Sequence, residues 1–374
     1  MRIEVQRRDR GIALIIVMMV ILVLSVLAGG FAYSMKVETR LARNTSWESD
    51  MEWLGRSGVE YGKYVLALTR MSPQPENMYS GLNQVWAGGP PNPTNELLAE
   101  IKLKDHQLGP GKFTVTIQDM ERKFNLSALT EGNPMSQPVL ERALLLVGAD
   151  SSDIPTIIDS YFDWIDPDDK PHLAGAESDF YLRMPAPYYA KNGPIDDIHE
   201  LLLIKGMNER IFGETRPTFQ NRGAFGTPSQ PLRPTSAYPQ DVPGATGSGA
   251  GLKDIFVPFH GAGSQVNINT ASAEVLEVAG LEPQMASAVV SARNGPDGQA
   301  GTDDDIPFIN INEALGVMGA DAATAAPLMR MFTIQSRVFE IKVEAQIGTY
   351  IRTFTALVDV RSPREVQTLS FTWK

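Results

Sequence analysis

The side chains best suited to chemistry in this chain are carboxylates, and they gather in two places. Asn294-Gly-Pro-Asp297-Gly-Gln-Ala-Gly-Thr302-Asp303-Asp304-Asp305 crowds acids into a Gly-bent stretch. Clustered like charges repel unless a cation offsets them. Calcium accepts irregular oxygen cages where magnesium demands an octahedron, so a structural calcium ion is expected here. Asp297, Asp303 and Asp305 are the preferred ligands, with Asp304 beside them, since alternate residues of an extended segment point the same way. The spacing is not that of an EF-hand, and a solvated acidic turn is the competing reading. A second set, Asp163, Asp166, Asp168, Glu177 and Asp179, could hold another cation or could cap helices and turns around Pro167. Catalysis finds less support. Asp166 and Asp168 could act as acid and base, but spacing in sequence does not fix their separation in space. Cysteine is absent and His106, His172, His199 and His260 are scattered, so neither a thiol nucleophile nor a zinc cluster is available. No Ser elbow occurs either. The chain does not read as an enzyme.

The elements that must carry these acids begin at a membrane. Arg7, Arg8, Asp9 and Arg10 lead to Gly11, and Ile12–Met35 then runs without a charge. That run exceeds the roughly 20 apolar residues that span a bilayer as a helix. Basic residues in front of it place Met1–Arg10 in the cytoplasm and everything beyond Lys36 across the membrane. A cleaved secretory signal would have a shorter core and an A-x-A-like site, so a retained anchor is expected. The formal charge is −11, and the leader holds more Arg than acid, so its loss would leave a still more acidic body. Such a body repels phosphate backbones, which argues against nucleic acid as a partner. The lack of cysteine is compatible with an extracytoplasmic location.

Beyond the membrane, apolar residues recur at helical spacing up to about Thr69. Gly55, Gly58 and Gly62 lower helix propensity there but permit close packing on a sheet. A coiled-coil stalk fits less well, because no strict heptad is sustained. Ser72–Pro93 reads as a Pro- and Gly-rich loop. Lys112–Gln118 alternates as a strand, and Phe332–Ser336, Phe339–Ile347, Tyr350–Val360 and Glu365–Trp373 read as a meander. The halves of this sheet lie about two hundred residues apart, so a helical domain inserted into a helix-on-sheet fold is the simplest account. The insert repeats a pattern: Glu200…Leu202…Ile204…Gly206, Glu274…Leu276…Val278…Gly280 and Glu313…Leu315…Val317…Gly319. Glu in the first turn complements the positive helix end, and Gly supplies the left-handed stop. Thr270 is the expected N-cap of the middle copy. Gly226–Gly251 reads as an extended flexible loop, and its Gly247–Gly251 is not a phosphate loop.

A charged leader ending in Gly11 before an apolar helix resembles the class III signal of type IV pilins and type II secretion pseudopilins. Leu54-Gly-Arg-Ser-Gly-Val-Glu60-Tyr61 is similar to a stretch of the K-type minor pseudopilins. So are Asp163-Trp-Ile-Asp166-Pro-Asp168-Asp169, Gly175-Ala-Glu177-Ser-Asp179-Phe-Tyr181, Pro187-Tyr188 and Ala190-Lys-Asn192-Gly193. Val266–Glu274 looks like part of a helix-hairpin-helix module, although its turn, Gly280-Leu-Glu282-Pro283, carries an acid and a Pro where DNA-binding versions need amides. The resemblance implies an α+β, pilin-like fold with a large inserted all-α domain of helix-hairpin-helix or SAM-like modules. It divides the chain into leader 1–11, transmembrane helix 12–35, pilin-like helix and first strands 36–124, helical insert 125–331 and closing strands 332–374. It further implies cleavage by prepilin peptidase after Gly11, methylation of Ile12, residence in the inner membrane and a periplasmic body. Relatives usually carry Glu at the fifth mature position to neutralise the terminal amine of the subunit ahead. Ile16 stands there instead, as in K-type subunits that lead the filament. I-type and J-type minor pseudopilins and the major pseudopilin filament are the implied partners. The implied function is to initiate and cap a filament at its tip for protein export across the outer membrane. A minor pilin of a type IV pilus is one alternative reading, and a membrane-anchored helix-hairpin-helix receptor for DNA another.

Overall fold

A single helix, α1, runs Asp9–Met71 for 63 residues. The computed structural model describes residues 9–91, 96–213, 250–260, 265–320 and 322–373, so most of the leader and nearly all of the Pro/Gly/Ser-rich stretch fall outside them. The two ends of α1 live in different surroundings. Leu14, Met19, Leu22 and Phe31 are each more than 60% exposed, and none of the described residues packs on this half. Among the described residues this is the one helix long and apolar enough to cross a membrane. The other half lies on a sheet. Cβ atoms added at Gly55, Gly58 and Gly62 would come within 2.4, 2.4 and 2.8 Å of Phe354, Val343 and Ile341. The glycine seam lets the backbone sink onto those side chains, and larger residues there would lift the helix off. Met51, Leu54, Val59, Val65 and Leu66 are buried along the same contact. Each contributes on the order of 1.5–3 kcal/mol of apolar burial.

The sheet has the order β1-β2-β7-β8-β9 and every neighbouring pair is antiparallel. Its strands are β1 (His106–Leu108), β2 (Gly111–Asp119), β7 (Val338–Ile347), β8 (Tyr350–Ser362) and β9 (Glu365–Trp373). Alternation sets the register: Phe113, Val115 and Ile117 pair with Ala345, Val343 and Ile341, all facing α1. Two segments differ from the sequence reading. Residues 72–91 form a loop as read, but a packed one: Trp86 is buried, donates Nε1 to Gln84 Oε1 at 2.7 Å and packs edge-on against Phe339. The short helix α2 (Glu96–Ala99) adds Leu98 to a small cluster with Leu68 and Val85. Phe332–Ser336 does not join the meander. Only β6 (Phe332–Thr333) is strand, and it pairs in parallel with β5 (Val266–Asn267) inside the insert.

Between β2 and β7 a second core gathers residues from Phe124 to Phe332. β3 (Phe124–Asn125) pairs in parallel with β4 (Phe256–Val257). Around them pack α3 (Ser136–Leu146), α4 (Ile154–Ile165), α5 (Ser178–Tyr181), α6 (Glu209–Phe212), α7 (Leu252–Ile255), α8 (Ala273–Val278), α9 (Pro283–Arg293), α10 (Ile311–Val317) and α11 (Ala322–Met331). The three repeats end as expected, with Gly206, Gly280 and Gly319 at φ of 88°, 108° and 65°. The first copy, however, is a 3-10 helix (Ile198–Leu203) closed by an Asp197–Glu200 capping box. In the third copy Val317 is exposed, so its apolar contact falls to Leu315 alone.

Thr270 is not the cap of α8. That place belongs to Ser272, while Thr270 Oγ1 donates to Asp119 Oδ2 at 2.5 Å. Asp119 is 2% exposed and also accepts from Asn267 Nδ2 (3.0 Å), Ser336 Oγ (2.6 Å) and the Glu121 amide (2.9 Å). Four donors offset the desolvation of one buried carboxylate, and together they join the end of β2 to the insert and to the return segment. Burial and the nearby Asp119 push Glu121 up to about 8, and burial lowers Arg70 to about 10.

Candidate functional site

The acids around α4 converge. Its apolar face buries Ile154, Ile157, Ile158, Tyr161 and Phe162, and this rotation carries Asp163 inward to 0% exposure. Asp163 Oδ1 accepts the His172 amide at 3.0 Å and a ring N–H from the same residue. Oδ2 has no partner. Glu177, 4% exposed, has no partner for either oxygen among the described residues. One oxygen each of Asp166, Asp168 and Glu177 fall within 4.8 Å of one another, as do ligand atoms of Asp163, Asp166 and His172. Asp179 is exposed and joins neither group.

The loop that closes this pocket is held from behind. Lys205 Nζ donates to the carbonyls of Ala174 and Gly175, both at 3.0 Å, and Asn192 Nδ2 donates to the Asp168 carbonyl at 3.0 Å. Gly175 permits the approach, since a Cβ there would stand 1.9 Å from Asp163 Oδ2. Crowded charge shows in protonation. Glu177 is pushed up to about 7 by burial, then by Asp163, Asp166, Asp169 and Asp168. Burial also raises Asp166, and the hydrogen bond that the His172 ring donates to Asp163 raises His172. The buried oxygens of Asp163 and Glu177 that lack a partner among the described residues, beside half-buried Asp166 and exposed Asp168, fit a hard cation that these four would hold.

The acids of 297–305 are arranged otherwise. Asp304 Oδ2 accepts the Asp297 amide at 2.9 Å, Asp297 Oδ1 the Gln299 amide at 2.7 Å, and Asp305 Oδ2 the Gly301 amide at 2.7 Å. Thr302 Oγ1 donates to Asp304 Oδ1 at 2.7 Å, which with the Asp297 amide holds Asp304 below the usual carboxylate range. Burial raises Asp305, and Asp303 is exposed. These four form no convergent triple among the described residues. His172 is the member of the α4 group that sequence reasoning missed; its distance of nine positions from Asp163 matches no ligand motif. Gly11 and Ile12 fall within α1, their side chains outside the described set, and Ile16 is 55% exposed on its apolar half.

A helix with an exposed apolar half, sunk by glycines onto an antiparallel sheet, with a helical insert between two strands, defines a pilin-like fold. Comparison agrees. A family described as Type II secretion system (T2SS), protein K matches residues 122–219. The Type II secretion system protein K of Pseudomonas aeruginosa is 24% identical over 350 residues, covering 92% of this chain and 86% of that protein. That of Klebsiella pneumoniae is 26% identical over 220 residues, 56% of this chain, and the match spans 62% of its length. The crystal structure of the GspK–GspI–GspJ complex from the enterotoxigenic Escherichia coli type 2 secretion system shares the fold. Its TM-score is 0.62 at 18% identity, covering 89% of this chain and 99% of that one. The chain is thus similar to type II secretion protein K in residues 122–219 by the family model, and along most of its length by sequence and fold.

Proposed function

We propose that this chain is the leading minor pseudopilin of a type II secretion pseudopilus, assembled with I-type and J-type minor subunits. One observation carries the reading. α1 leaves its whole apolar half uncovered while its second half is sunk onto the sheet. Such a half needs lipid before assembly and neighbouring helices after it. At Ile16 the apolar stretch offers no carboxylate to the amine of a subunit ahead. That suits a first position in the inner membrane, with prepilin peptidase cutting at Gly11 and exposing Ile12. The insert, carried at the far end of the sheet, would block further stacking and cap the filament. Calcium at Asp163, Asp166, Asp168 and Glu177 would brace the insert. The acidic loop Asp297–Asp305 is the weaker calcium candidate.

The test is expression of the full chain with candidate I- and J-type subunits and a prepilin peptidase, followed by membrane extraction. A ternary complex should elute together, and intact mass should place the amino terminus at a methylated Ile12. A chain that keeps Met1 and elutes alone would overturn the proposal.

A further inference from the structure

The insert and the α1–sheet unit bury their apolar side chains in two separate cores, which share no residue among those described. Both crossings of the chain between them, 119–124 and 332–338, run through a single polar seam. From the insert, the Asn267 amide donates to the Glu121 carbonyl at 2.8 Å, and Asn267 Nδ2 donates to the Ser80 carbonyl at 2.9 Å. The Ser336 amide donates to Ser80 Oγ at 3.1 Å. Arg70, in the last turn of α1, donates to the Ser336 carbonyl. Two carboxylates sit at the centre, Asp119 at 2% and Glu121 at 4% exposure. They are unequally served. Asp119 takes four donors, three of them side chains, whereas Glu121 is served by the backbone amides of Arg337 (3.1 Å) and Val338. The charged groups facing Glu121 are Asp119 of β2, Arg70 of α1 and Arg337 ahead of β7. Arg337 is shared with Asp359 of β8 at 3.1 Å, and Arg70 Nη1 is buried without a partner among the described residues.

Two neighbouring carboxylates buried together repel, and a proton on one of them removes the repulsion. Burial raises both, but its donors pull Asp119 back, so the proton belongs on Glu121, which stands at about 8. Exposed to water, the same carboxyl would return to an ordinary 4.5. Opening the seam therefore releases a proton, and acidity opposes the opening. An ionised Glu121 also competes for Arg70, the residue that ties α1 to the Ser336 carbonyl. We propose that the seam is a proton-held joint: protonated Glu121 clamps the insert to the end of the sheet, and its ionisation frees the insert to move about the two crossings. The sign follows from the raised folded value. The clamp is at full strength below pH 4.5, weakens by roughly tenfold for each further pH unit, and is spent as pH rises through about 8. The joint is polar on both sides, so it can open without exposing either apolar core.

The chain has no cysteine, so two introduced ones can carry spin labels without interference. Glu141→Cys on α3 and Lys342→Cys on β7, both exposed, mark the insert and the sheet. In the full chain held in lipid nanodiscs, the distance distribution between the labels should be narrow at pH 6 and broad at pH 9. Hydrogen exchange, corrected for its intrinsic pH dependence, supplies the second readout. The Asn267 and Ser336 amides should lose at least about tenfold in protection between pH 6 and pH 8, while Ile341 and Val343 in the sheet keep theirs. Glu121→Gln mimics the protonated acid and leaves Glu177 intact; it should stay narrow and protected at every pH. The parent's two readouts decide the matter even if that variant does not fold. Seam amides that ignore pH, seam exchange that changes without any broadening of the label distances, or a folded Glu121→Gln chain that keeps the parent's response would overturn the proposal.

Discussion

The two acidic stretches of the insert use the same residue type and reach opposite electrostatic states. In 297–305 the loop turns its own amides and the Thr302 hydroxyl onto the carboxylates, so Asp297, Asp304 and Asp305 are satisfied from within. Around α4 backbone amides reach one oxygen each of Asp163, Asp166 and Asp168, and none reaches Glu177 among the described residues. Asp163 Oδ2 and both Glu177 oxygens stay buried without a donor. A carboxylate that finds donors locally needs no ion. Buried carboxylates that find none must take a proton or a cation.

The largest expected effect comes from Gly175→Ala, which drives a methyl into Asp163 Oδ2. Overpacking of this kind costs about 1–3 kcal/mol. Calcium should lose its effect on melting at the same time. Retained calcium stabilisation in that variant would break the contrast between the two regions.

A middle-sized effect is expected from pH. Glu177 stands at about 7 in the fold against an ordinary 4.5, so folding favours its protonated form. In EDTA that stabilisation should be complete below pH 4.5 and vanish as pH rises through about 7. Saturating calcium should flatten the slope, since binding displaces the proton, and calorimetry should find more protons released at pH 6 than at pH 8. Glu177→Gln should show neither the slope nor the release. An unchanged slope with calcium present would count against the α4 cluster as the cation site.

The smallest effect belongs to the outer loop. Asp303→Asn removes an exposed charge with no structural partner and should change stability by less than about 0.5 kcal/mol, with or without calcium. A calcium-dependent loss in that variant would move the ion to 297–305.

Much of this architecture was legible in residue order. The alternation of Phe113, Val115 and Ile117, the unbroken apolar run, and the repeated Glu and Gly positions all fix local structure by short-range rules. The resemblance supplied the rest of the frame. Three features escaped for physical reasons. Thr270 looked like a cap because capping is local, but a buried carboxylate 151 positions away competes better for its hydroxyl. Phe332–Ser336 has strand composition, yet its neighbours are insert residues rather than sheet. His172 joins the α4 acids only through the fold, and its nine-position distance from Asp163 matches no ligand motif.

Asp119 and Phe339 face each other across β2 and β7, so the chain leaves the sheet and re-enters it at adjacent rungs. Topologically the pilin-like portion is a hairpin whose turn has grown to more than two hundred residues. A graft of two to five residues in a tight turn would close the same rungs. The helical cargo can thus be enlarged, trimmed or exchanged without asking any strand to find a new neighbour.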